Sequence, residues 1–163
     1  GIKLRTPSSV WRVKMFKSYG ANPSPLPFGE VFVALKTGTF DGQENPFAQI
    51  ASARFQEVQK YLSLTGHVYT PGYIVADAKK WKKVPADVAA IVEQAAKDTQ
   101  PFVYKYAAEL EKKLLKELKD GGITVNSADK QAFIDASAPI YEEFGKSVAG
   151  GSDLVNKAIA LGK

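Results

Sequence analysis

The chain has 163 residues, 45% of them hydrophobic and 24% charged, with a formal net charge of +5 at pH 7 and a pI near 9.3. That balance excludes a disordered or low-complexity chain, no apolar run is long enough to cross a membrane as a helix, and the size sustains one compact domain with a real core. With no cysteine, disulfide scaffolds, thiolate nucleophiles and Cys-ligated zinc are excluded as well.

In chain order, residues 2–5 read as a short strand and Ser8 or Ser9 as the N-cap of a helix through about Tyr19, stopped by Gly20. An extended piece is predicted over Ser24 to Phe28, a short helix over Glu30 to Lys36 closed by Gly38, and a third extended segment from Phe40 to Gly42. This β-α-β-α-β order with short connections predicts parallel strands joined by right-handed crossovers. A helix follows from Phe47 to about Phe55. Two further strands are expected at Tyr61 to Thr65 and His67 to Ala76, the second at an edge or broken by a bulge because it contains Pro71 and Gly72.

Asp77 is placed to cap a short helix from Ala78 to Lys83, whose lysines Lys79, Lys80, Lys82 and Lys83 read as a solvated face; the positive surplus forms no stripe, and no nucleic-acid partner is expected. Pro85 opens the longest pattern. Apolar residues at Val88, Ile91, Val92, Ala95, Phe102, Val103, Tyr106, Leu110, Leu114 and Leu118 keep helical spacing until Gly121-Gly122. Such a helix would run about 50 Å, and Pro101 should bend it. Ile123 to Val125 reads as a strand, and Asp129 to Lys146 and Asp153 to Leu161 as closing helices.

In an open parallel sheet, ligands bind beyond the carboxyl ends of the strands. Three predicted strand ends carry Arg5, Phe28 and the run Gln43-Glu44-Asn45. Arg5 suits a carboxylate, because a planar guanidinium offers two parallel N–H bonds to an anion with two oxygens. It equally suits a structural salt bridge to Glu30 or Glu44. Phe28 is either an apolar wall under a ligand or a core side chain. Asn45 either donates its amide to a ligand or caps the helix after Pro46. His67, the single histidine, lies in no Ser-His-Asp or metal-ligand spacing, and neither a metal site nor a cofactor is expected. An acid/base set of Asp41, Glu44 and His67 is the enzymatic alternative; Asp41 and Glu44 read more simply as turn and network groups.

The run from Gly20 through Pro23, Pro25, Pro27 and Phe28 to Val31, followed by Ala34 to Gly38 and by Asp41-Gly42-Gln43-Glu44-Asn45-Pro46, resembles the solute receptors of tripartite ATP-independent periplasmic (TRAP) transporters. Phe55 to Leu62 fits the same pattern, and the likeness extends to the C-terminus. The resemblance implies an α/β, periplasmic binding protein-like fold of the type II-like two-lobe kind. It also implies a periplasmic receptor, not an enzyme, that binds a small organic acid and delivers it to TRAP membrane subunits. Arg5 would pair with the substrate carboxylate, Asn45 would assist, and Phe28 would pack beside the solute; Gln43, Glu44 and His67 are taken with them as ligand-binding candidates. A ligand-sensing module without a transport role is the other alternative.

Members of that family are longer, and the chain starts mid-pattern without an initiator Met or signal peptide, so it reads as a processed or truncated piece resembling the C-terminal portion. The implied division is a ligand-gripping lobe over 1–84, a spine helix over 85–120 linking two lobes, and a strand and helices over 121–163 that would pack on the lobe not included. Apolar faces such as Phe133, Ile140, Tyr141 and Phe144 would then be exposed. Self-association, or pairing with the missing N-terminal portion, is the expected consequence.

Overall fold

A computed structural model describes residues 1–162. Its first unit is a parallel three-stranded sheet in the order β2-β1-β3, with β1 over Lys3–Thr6, β2 over Asn22–Pro25 and β3 over Gly42–Gln43. The central strand is the one carrying Arg5. Pro23 and Pro25, which cannot donate to a ladder, are tolerated because β2 is an edge.

Helix α1 (Val10–Ser18) joins β1 to β2, and α2 (Val31–Lys36) carries the chain back past β1 to β3. Ser9 is the cap: its hydroxyl accepts from the Arg12 N–H. The helix ends as expected at Gly20, whose φ of +80° lets Ala21 N–H reach Phe16 O and Gly20 N–H reach Lys17 O, a Schellman closure. Gly122, with φ +93°, closes the long helix in the same way through Ile123 N–H to Leu118 O.

Strand β4 (Tyr61–Leu64) pairs in parallel with β5 (Thr124–Ser127), forming a second, two-stranded sheet that the sequence reading did not anticipate. The crossover between them contains α4 (Ala78–Trp81), capped by Asp77 as predicted, and α5 (Ala86–Asp120), 35 residues in one element despite Pro101. Pro85 sits at the N-cap of α5, one place earlier than predicted. Helix α3 (Phe47–Ser52) is shorter than expected and gives way to a 3₁₀ turn at Phe55–Glu57, entered through a left-handed Arg54. Helices α6 (Lys130–Ser147) and α7 (Gly151–Leu161) close the chain.

The core gathers Val31 and Leu35 of α2, Ile50 of α3, Phe55, Leu118 at the end of α5, and Ile123, all sealed from solvent. Each fully buried aliphatic or aromatic side chain there contributes about 1.5–3 kcal/mol relative to exposure. Helix α1 instead packs on α6 through edge-to-face pairs of Trp11 with Phe144 and Tyr19 with Phe133. Tyr19 O–H donates to Ser137 Oγ at 2.7 Å, and Ser137 Oγ in turn donates to Phe133 O. Phe133 and Phe144, expected to be exposed, are therefore half-buried within this chain, and β5 and α6 both touch residues 1–84.

One predicted strand is absent. Residues His67 to Ala76 form no ladder, and Tyr69, Tyr73, Ile74 and Val75 are at least 80% exposed. A strand needs a neighbour to satisfy its backbone groups, and among the described residues none pairs with this stretch.

Candidate anion-binding site at the carboxyl end of the central strand

The strand order places a switch point between β1 and β3, where the connections leave in opposite directions and open a crevice beyond the carboxyl ends. Arg5 of β1 and Gln43 of β3 are register partners across that crevice. Thus the first and third sequence candidates meet there.

Arg5 is only 3% exposed. Its Nε and Nη2 both donate to Leu26 O, at 2.8 and 2.6 Å, which fixes the guanidinium against the segment leaving β2. Among the described residues, Nη1 has no hydrogen-bond partner and no acid lies in salt-bridge range of Arg5, so the bridge to Glu30 or Glu44 that sequence left open is not formed. Burial lowers the Arg5 pKa, with the Glu44 carboxylate acting in the opposite sense. A guanidinium stays charged regardless, so the site holds a desolvated cation with one guanidinium nitrogen unpaired, and a bound anion would relieve that cost.

Glu44, one residue past Gln43, is buried, and both of its oxygens are engaged. Oε1 accepts from Arg12 Nη1 at 2.6 Å and Oε2 from His67 Nε2 at 3.1 Å. His67 Nδ1 meets Thr65 Oγ1 at 2.6 Å, and the ring stands edge-on to Phe16. An Nε2–H imidazole fits both contacts, accepting from the Thr65 hydroxyl and donating to Glu44. This network ties α1, the loop after β3 and the end of β4 into one rigid rim. It engages both oxygens of Glu44 and both ring nitrogens of His67. Asp41, the third member of the imagined acid/base set, instead accepts from the Lys3 N–H at 2.7 Å.

Phe28 does not end β2, as predicted. It begins a 3₁₀ turn three residues beyond Pro25, is 41% exposed, and stands edge-to-face on the sealed Phe55 at 5.7 Å. The core alternative for Phe28 therefore fails, because Phe55 already fills the core beneath it. Asn45 does not cap α3: the N-cap is Pro46, without a side-chain bond, and Asn45 Nδ2 donates to Gln43 Oε1 at 2.6 Å. Hence Arg5, Gln43 and Asn45 line one end of β1 and β3, while Phe28 follows Leu26, the residue holding the guanidinium. No hydrogen bond joins Arg5 directly to Asn45 among the described residues. Two open surface hollows, about 290 and 430 Å³, lie elsewhere: one between Trp11, Tyr141 and Phe144, the other beside Ser9, Lys14 and Pro25.

The sequence reading missed Arg12. Its signal was weak but present: a cation at the third position of a helix is opposed by the helix dipole, so an arginine there implies an acidic partner.

Comparison with known proteins gives one consistent picture. Residues 1–147 match the family described as bacterial extracellular solute-binding protein, family 7. The chain is 37% identical over 157 residues to the 2,3-diketo-L-gulonate-binding periplasmic protein of Escherichia coli, covering 95% of this chain and 48% of that protein. It is 32% identical to the sialic acid-binding periplasmic protein of Vibrio cholerae, covering 99% of this chain and 50% of that one. Among solved structures, a TRAP periplasmic solute binding protein from a Sulfitobacter species with bound β-D-galacturonate superposes with a TM-score of 0.88 at 35% identity, over 96% of this chain and 52% of that one. A Pseudomonas putida counterpart with bound D-glucuronate gives 0.88 at 27% identity, over 96% and 50%. The chain spans about half the length of the relatives it matches.

Proposed function

The chain belongs to the bacterial extracellular solute-binding protein family 7 and has the α/β fold of the TRAP solute receptors, and from that premise we propose that the full-length protein carrying it binds a small organic acid by its carboxylate and delivers it to TRAP membrane subunits. Its proteins of known structure compared above are receptors rather than enzymes, and its named relatives are periplasmic, which supports the same compartment here. The observation that carries the reading is Arg5: a buried cation near the carboxyl end of the central strand, held by the Leu26 carbonyl and paired with no acid among the described residues. Arg5 grips the carboxylate, Asn45 and Gln43 provide neutral donors and acceptors beside it, and Phe28 forms an apolar wall. Glu44 and His67 act behind this set. Uronic and related sugar acids are the substrate class that the bound relatives favour.

The same reading divides the chain into a gripping lobe over 1–84, a spine over 85–120 and a returning segment over 121–163. The apolar side of α5, with Ile91, Phe102 and Tyr106 each more than half exposed, supports a lobe packing on it in the full-length protein. By itself the 163-residue chain self-associates through this surface. Light scattering that shows a monodisperse monomer at high concentration counts against that.

Calorimetry of the full-length protein with a panel of carboxylic acids that includes D-glucuronate and D-galacturonate tests the receptor reading. Arg5→Ala is expected to weaken binding by roughly thirtyfold to several thousandfold, the range for truncating a buried charged partner. Arg5→Lys is also impaired, because a point charge lacks the fork geometry. An Arg5→Ala protein that binds as tightly as its parent refutes the role.

A further inference from the structure

Arg12 is the one rim cation that neither the sequence pattern nor the carboxylate grip accounts for. It projects from the first turn of α1, where the backbone dipole already favours negative charge, and its Nη1 lies 2.6 Å from Glu44 Oε1. The pair is largely buried, the side chains being 21% and 8% exposed. Glu44 is thus clamped on one oxygen by Arg12 and on the other by His67.

The charge balance shows what this clamp does. The rim holds two cations, Arg5 and Arg12, against the single carboxylate of Glu44. Because Arg12 takes that carboxylate, the surplus positive charge remains on Arg5. Without Arg12, Glu44 would be a buried anion held by His67 alone, with its second oxygen unpaired, an unfavourable state. Arg5 is the cation at hand: Glu44 directly follows Gln43, the register partner of Arg5. An Arg5–Glu44 pair would make the rim neutral and fill the donor end meant for the solute.

We propose that Arg12 is a positioning residue that holds Glu44 away from Arg5, and so keeps the protein's own carboxylate from occupying the site of the ligand's carboxylate. The inference rests on Arg5 as the anion anchor. It adds that affinity depends on a second arginine that need not touch the solute. A side chain that competes from within lowers apparent affinity by the fraction of molecules left competent.

The test uses the full-length protein with the acid its parent binds best, D-glucuronate and D-galacturonate among the probes. Arg12→Met is expected to weaken binding about tenfold, as when one molecule in ten retains a free Arg5. Arg12→Lys retains a cation for Glu44 and recovers most of that loss. The double variant Arg12→Met/Glu44→Gln recovers it too, because the competitor no longer carries charge. A crystal structure of ligand-free Arg12→Met is expected to show Glu44 bonded to Arg5.

Unchanged affinity in Arg12→Met, or a double variant no better than the single one, overturns the proposal, since a merely structural loss would persist or add. So does a structure in which Glu44 stays on His67 with Arg5 open. If the parent binds no acid, the receptor reading fails instead, and the Arg12→Met structure still decides where Glu44 goes.

Discussion

Residues 1–65 and residues 66–117 use similar apolar side chains with opposite results. In the first region Val31, Leu35, Ile50 and Phe55 are at most 5% exposed, closed over by Leu118 from the end of the long helix and by Ile123 just beyond it. In the second, Ile74 is 98% exposed, and Ile91, Phe102 and Tyr106 lie open along α5. Both regions have regular apolar patterning. The first finds partners among the described residues for nearly all of its apolar face and the second only near the end of α5, so the pattern specifies a face to be covered but not what covers it.

The largest effect expected from breaking this contrast is at the sealed end. Phe55→Ala should cost about 3–5 kcal/mol in chemical denaturation, because it leaves a cavity under Phe28 and between α2 and α3. Ile74→Ser or Phe102→Ser in the 163-residue chain should change stability by no more than about 0.5 kcal/mol. The same two changes in the full-length protein sharpen the point: if a lobe covers them there, each should cost about 1–3 kcal/mol, and equal small effects in both would mean the faces stay exposed.

Native-state hydrogen exchange provides a graded version. Amides over residues 68–76, which have no ladder, should exchange orders of magnitude faster than those of β1 and β4, whose ladders must open first.

A modest effect is expected at the α1–α6 contact. Tyr19→Phe removes the bond to Ser137 and should cost about 1 kcal/mol. Burial raises the Tyr19 pKa above its usual value of about 10, so the native state holds the proton more tightly than the unfolded chain. The stability this confers is complete below pH about 10 and is lost as pH rises through the folded-state pKa. The Phe variant should lack that component of the alkaline decline, and identical pH profiles for the two proteins would rule Tyr19 out as its source.

Much of the architecture could be read from local chemistry. Gly20 and Gly122 end helices because only a residue without Cβ adopts positive φ cheaply, Asp77 and Asp129 cap helices by accepting backbone N–H groups, and the alternation over residues 2–42 implies parallel strands. Where the reading failed, a non-local partner decided the outcome. Residues His67 to Ala76 have strand composition and no strand beside them. Phe133 and Phe144 looked like exposed apolar residues, but α1 supplies Tyr19 and Trp11 against them.

For the site, the sequence by itself determined the donor types: an arginine at the end of the first strand and a Gln-Glu-Asn run after the third, residues whose chemistry suits a carboxylate whatever surrounds them. Tertiary structure alone decided which of them pair with one another. Glu44 became a clamped network group because Arg12, on a separate helix, lies 2.6 Å away, while Arg5 pairs with no acid among the described residues. Ion pairing is decided over a few ångströms in space, and a linear sequence records only which charges exist, not which of them meet.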